Sequence, residues 1–169
     1  MSFAVHFVSA ETAAAPHPLG DPDADLPDDE GDEDVEELTA DEIAAWDDLH
    51  ARLVELLPAG AHDVSATPFA RQLVHEATGL MVTWAHDDYE ASVPFWSENA
   101  TAELFDTLAA VTEAIEAATG RVGVDEISEA RFLDHREQVQ DTFAMMAAGF
   151  EQAMERQTVL GWLRSKFKR

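Results

Sequence analysis

Phe3, Val5 and Phe7 alternate with Ala4 and His6, the period of a half-buried β-strand. Residues 1–9 carry no basic cluster and only a short apolar stretch. They therefore read as a first strand rather than as a signal peptide. The pattern then lapses. Ala13 to Gly20 is rich in alanine and proline, and Asp21 to Glu37 packs eleven acids into seventeen residues with Pro22, Pro27 and Gly31. Like charges repel and few apolar groups are offered, so residues 10–37 read as an acidic linker or loop.

Apolar periodicity resumes at Leu38. Thr39 and Glu42 form a capping-box pair, and Leu38 with Ile43 forms a hydrophobic staple. Ile43, Trp46, Leu49, Leu53 and Leu56 then share one helical face until Pro58 and Gly60. A β-meander is predicted next: Arg71–Ala77, a Thr78-Gly79 turn, Leu80–His86, an Asp87-Asp88 turn, and Tyr89–Trp96. That turn pairs His86 with Tyr89, Trp84 with Ala91, Val82 with Val93 and Leu80 with Phe95. One face then holds Leu80, Val82, Trp84, Tyr89, Ala91, Val93 and Phe95, and the other Thr83, Glu90 and Ser92.

Asn99–Thr119 is predicted as a second long helix, with Leu104, Leu108, Val111 and Ile115 inward and Gly120 as its stop. Val122–Val124 suits a short return strand. Asp134 and Glu137 are placed to cap a last long helix, whose stripe is Val139, Phe143, Met146, Phe150 and Ala153, continued by Leu160, Leu163 and Phe167. The expected architecture is α+β: an antiparallel β-meander sheet with helices packed on one face. Residues 38–135 form its core, and residues 136–169 a C-terminal helix with a basic amphipathic tail.

Charge changes the picture most. The chain carries 35 acids and 10 bases, a net charge of −25. The last fourteen residues, Arg156 to Arg169, contain five bases and no acid, which leaves −30 on the remainder. So acidic a body repels nucleic-acid backbones and attracts basic surfaces. No run of 18 apolar residues spans a membrane, and no cysteine is present for disulfide or thiolate chemistry. A cytoplasmic location is the corresponding expectation.

Ser92-Val93-Pro94-Phe95-Trp96, together with Met1-Ser2-Phe3, Asp87-Asp88 and Thr119-Gly120, resembles a group of small uncharacterised bacterial α+β proteins. These begin Met-Ser-Phe and end a strand on Ser-Val-Pro-aromatic-Trp. Asp125-Glu126 stands where many of them have Asp-Pro. The resemblance implies a fold and no particular activity.

Catalytic and cofactor motifs are sparse. There is no nucleophile elbow, no His-Glu-x-x-His and no Gly-rich phosphate loop, so no cofactor is expected. Asp21, Asp23, Asp25 and Asp32 have partial EF-hand spacing, but Leu26 occupies the required glycine position. On the predicted register His75 and His86 share a face, and with Asp87 or Asp88 they approximate a two-histidine, one-carboxylate set. This keeps open a metal-assisted hydrolase, against ordinary packing of both histidines.

The preferred functional expectation is a non-catalytic module that meets a basic protein partner. An inhibitor or immunity-type protein is one concrete form. Its candidate contacts are Asp28, Asp29, Glu30, Asp32, Glu33 and Asp34, the hairpin tip at Asp87 and Asp88, and Trp162, Leu163 and Phe167 of the basic tail. The tail is amphipathic and suits a partner or, weakly, an anionic membrane surface. The alternative is that its cations complement a helix C-terminus and the acidic body. A third reading is a self-associating subunit, such as a homodimer, joined through the last helix.

Overall fold

A computed structural model describes residues 2–15, 18–20, 36–95 and 97–166; for Ser97 and residues 154–166 it describes the backbone alone. Six strands form one antiparallel sheet: β1 (Ser2–Val8), β2 (His62–Ala66), β3 (Arg71–His75), β4 (Met81–Ala85), β5 (Asp88–Pro94) and β6 (Val122–Asp125). Their order is β2-β3-β4-β5-β1-β6, so a four-strand meander is completed by the first and last strands. The helices are α1 (Ala10–Ala13), α2 (Ala40–Leu56), α3 (Ala102–Thr119) and α4 (Phe132–Lys166), with a short 3-10 turn at Ser97–Asn99. Helices α2, α3 and α4 pack side by side over one face of the sheet. The α+β expectation is met.

The core lies between these layers. Phe3, Val5 and Phe7 of β1 are buried as their alternation requires. Trp84 stacks on Trp46 of α2 with centroids 5.7 Å apart and planes 6° apart. Phe143 of α4 stacks on Phe95 at 4.9 Å and meets Phe105 of α3 edge-on at 5.3 Å. These rings fasten α4 to both sheet and neighbouring helix. At Gly123 of β6 a Cβ would lie 2.7 Å from Thr112 Cγ2 and 3.0 Å from Val5 Cγ1, so α3 approaches the sheet as closely as glycine permits.

The capping box forms as predicted: the Glu42 amide donates to Thr39 Oγ1 (3.3 Å), and the Thr39 amide donates back to Glu42 Oε2 (2.8 Å). Trp46, Leu49 and Leu53 are buried, whereas Leu56 is exposed at the helix end. Gly120 closes α3 in the left-handed region at φ 69°.

Several boundaries differ. The hairpin turns on His86-Asp87, not Asp87-Asp88, and pairs Ala85 with Asp88, Trp84 with Tyr89 and Val82 with Ala91. The shift is two residues. An even shift leaves every side chain on its own face, which is why the two faces are as expected while the partners are not. His86 takes the positive φ of 48° that such a turn asks of its first residue. Residues 10–37 are not featureless: Ser9 caps α1, Pro18 is buried, and the Glu36 carbonyl is bonded to His86. Strand β2 was absent from the expectation. Helix α4 begins at Phe132, two residues before the expected cap, because Phe132 is drawn into the cluster of Phe3 and Phe105; Asp134 lies in its first turn. Its inner stripe is Phe132, Val139, Phe143 and Ala147, while Met146, Phe150 and Ala153 are exposed. Following the large residues overlooked Ala147, which lies nearer the Phe143 face than Met146 does.

Candidate functional site

The two histidines do not converge. The His75 amide donates to the Leu80 carbonyl across the β3–β4 turn at 2.8 Å, whereas His86 opens the turn at the far end of β4. Six residues of strand separate Leu80 from His86, on the order of 20 Å. The alternative of a shared two-histidine site is therefore not met by the geometry. The predicted β3–β4 register was two residues off, and the turn displaced His86 from the ladder. His75 is 2% exposed; its Nδ1 lies 2.9 Å from Thr78 Oγ1 and its Nε2 is buried against Gly60. Among the described residues, no group of three or more histidines and acids is arranged to hold a metal ion.

His86 fastens the chain where it leaves the acidic segment. Its Nδ1 lies 3.0 Å from Glu42 Oε1 and its Nε2 2.7 Å from the Glu36 carbonyl, while Trp84 Nε1 donates to the His86 carbonyl. The bond to the Glu36 carbonyl, then that to Glu42, raises the His86 pKa. Hydrogen bonds from the Thr39 hydroxyl and amide, followed by His86, hold Glu42 down to about 2.

The body's cations are largely committed to its own groups. Arg121 meets Asp87 at 3.2 Å, Arg136 meets Asp106 at 2.7 Å, and Arg131 joins Glu116 at 2.7 Å and Asp134 at 3.3 Å. Arg71 donates to the carbonyls of Thr67 and Ala70. A shallow groove of about 460 Å³ between α3 and the start of α4 is lined by Glu113, Asp134 and Arg136, the last already paired.

The expected contact residues are scattered. Asp87 forms the Arg121 pair at the hairpin tip, and Asp88 is exposed at the start of β5. Asp28, Asp29, Glu30, Asp32, Glu33, Asp34 and Phe167 lie outside the described residues, as do Asp21, Asp23, Asp25 and Asp32 of the EF-hand-like spacing. Trp162 and Leu163 lie in the helical backbone of α4. That helix has 35 residues, about 50 Å of rise, and its last buried side chain among those described is Ala147. Beyond or beside it Met145 is 70% exposed, Met146 42% and Phe150 39%.

Three further large apolar side chains are exposed: Leu56 at the end of α2, Val64 on β2 and Phe69 in the turn to β3. Sequence reading missed this strand. Its available signal was His62–Ala66 bracketed by Gly60 and Pro68, a short run between turn residues.

No described helix is long and apolar enough to cross a membrane. The chain matches no family model, curated protein or solved structure in the comparisons made. The likeness drawn from Ser92–Trp96 is therefore one of short motifs, and function must be argued from surface chemistry.

Proposed function

We propose that this chain is a non-catalytic binding module whose acidic body meets a basic protein partner. The observation that supports this reading is the commitment of Arg121, Arg131 and Arg136 to internal carboxylates and of Arg71 to internal carbonyls. With 35 acids against five arginines in the body, most carboxylates have no arginine of their own. A cationic surface relieves that self-repulsion, and long-range attraction speeds the encounter. An inhibitor or immunity-type role, in which a basic toxin or enzyme is masked, is one concrete form.

The test is affinity capture with the full chain as bait, at about 0.15 M and again at about 0.5 M salt, where screening shortens the reach of surface charge. The expected result is a stoichiometric partner of basic isoelectric point, released at the higher salt. A partner that is acidic, or one whose retention ignores salt, overturns the reading.

A second reading has its own observation. Met145, Met146 and Phe150 are exposed around the last buried residue of α4, Ala147, and just beyond it. Self-association through this helix would cover them, with the basic tail of one copy lying on the acidic body of another. Light scattering of the full chain and of a chain ending at Gln157 tests it. A monomer at every salt concentration removes this reading.

A further inference from the structure

The two borders of the sheet are not equivalent. At β6 the chain folds back along the outer side: Val124 bridges to Arg131, and the Asp125 amide donates to the Ala130 carbonyl at 3.1 Å. At β2 all five residues are exposed, and among the described residues the strand pairs with β3 alone.

The direction of the free backbone groups follows from two hydrogen bonds. The Glu76 amide donates to the Ala61 carbonyl at 3.1 Å, and the Thr67 amide to the Ala70 carbonyl at 2.9 Å. Residues 61 and 67 therefore turn their polar groups toward β3, and by the period of two so do Asp63 and Ser65. The amides and carbonyls of His62, Val64 and Ala66 consequently point to the open border. They form a template for one further antiparallel strand.

The side chains state what that strand would carry. Val64 pairs with Leu73, which is fully buried under the helices, so Val64 stands on the helix side of the sheet. Asp63 pairs with Val74, and Glu76 shares its parity, so both carboxylates lie on the opposite face. The border thus carries Val64 and Ala66, with His62 at its start, on the helix face, and Asp63 and Ser65, with Glu76 beyond, on the other. The nearest strand cation, Arg71, is bonded to carbonyls of its own turn.

We propose that β2 is the docking border for an extended segment of a protein partner in which apolar and cationic residues alternate. Its apolar side chains lie beside Val64, and its cations reach Asp63 and Glu76. The backbone ladder supplies affinity and the alternation supplies selectivity. This inference rests on the reading of a basic partner and deepens it by naming the surface and the form of the segment. A second copy of this chain is a poorer occupant, since two bodies of like charge must then approach.

The probe is the peptide acetyl-Lys-Val-Lys-Val-Lys-Val-amide, added to the isotopically labelled full chain, with a Glu-for-Lys peptide as control. Amide hydrogen exchange is read by nuclear magnetic resonance. At free peptide about ten times its Kd, exchange at His62, Val64 and Ala66, whose amides face the border, should slow about tenfold, while Asp63 and Ser65, already bonded to β3, slow only through openings of the strand itself. The control should slow none of them. No slowing at His62, Val64 and Ala66, or slowing confined to other amides, overturns docking at β2. Equal slowing by both peptides overturns the cationic occupant and counts against the basic-partner reading. Val64→Lys and Ala66→Lys leave the ladder to β3 intact and place cations at the border, so either should abolish the protection. A basic partner captured equally well by wild type and V64K would refute this border while leaving the basic-partner reading standing.

Discussion

β6 and β2 close the same sheet in opposite ways. β6 is short and is flanked by returning chain, and its Gly123 lets Thr112 of α3 press onto it. β2 is one residue longer, yet among the described residues no strand pairs with its outer side, and its largest apolar side chain, Val64, is 44% exposed. Exposed strand borders invite pairing with other chains, and proteins commonly block them. The contrast teaches that this sheet is sealed where it needs only stability and open where it presents acid and backbone together.

Behind both borders lies a shared core. Trp84→Ala removes the stack on Trp46 and should cost about 3–5 kcal/mol. Phe143→Ala, which unfastens α4 from Phe95 and Phe105, should cost a similar amount. Chemical denaturation measures both. A loss under about 1 kcal/mol at either position would mean that the rings do not pack as described.

At the sealed border, Gly123→Val should destabilise by about 1–3 kcal/mol, because its Cβ alone would press on Thr112 and Val5. A neutral result in the same denaturation assay would show that α3 can retreat and that β6 is less constrained than its contacts imply.

A smaller effect is expected where the acidic segment joins the body, since His86 and Glu42 are each about one-third exposed. Glu42 is depressed, so its contribution is present above its ordinary value near 4.5 and is lost as pH falls toward about 2. His86 is raised, so its contribution is complete below its ordinary value of 6.5 and is lost as pH rises through the folded one. The latch is therefore firmest between about pH 4.5 and 6.5. The exchange of the Leu38 amide, which donates to the Pro68 carbonyl, reports it once corrected for intrinsic rate. Glu42→Gln should lower the His86 pKa; an unchanged titration would remove Glu42 as a cause.

At the open border the effect on stability should be smallest. Val64→Ala is expected to change it by no more than about 0.5 kcal/mol, because a half-exposed border side chain fills no cavity. A larger loss would mean that β2 is integral to the core.

The same contrast explains what could be read in the sequence. Where large apolar side chains recur at the period of their element, pattern was sufficient: Phe3, Val5, Phe7, the Thr39 capping box and Leu104, Leu108, Val111 and Ile115 of α3 were all legible. The faces of β4 and β5 were legible too, but their register was not. The turn is held by contacts of His86 with Glu36 and Glu42, residues 50 and 44 positions away. Ala147 was passed over because a small residue at a close approach resembles one facing solvent. β2 was invisible for a related reason: an exposed border strand buries nothing and exists through pairing with β3. The candidate site was therefore the least legible part, apart from the acidity that motivated it.

The central claim is that a basic partner meets the carboxylate surface at the open border. Zero-length carbodiimide cross-linking, which joins carboxylates to amines, tests it most directly once a partner has been captured by the full chain. The account predicts links from Asp63 and Glu76 to lysines within one extended segment of that partner, lost in V64K. Links confined to carboxylates remote from β2, or a captured partner without cationic residues in contact, would contradict it.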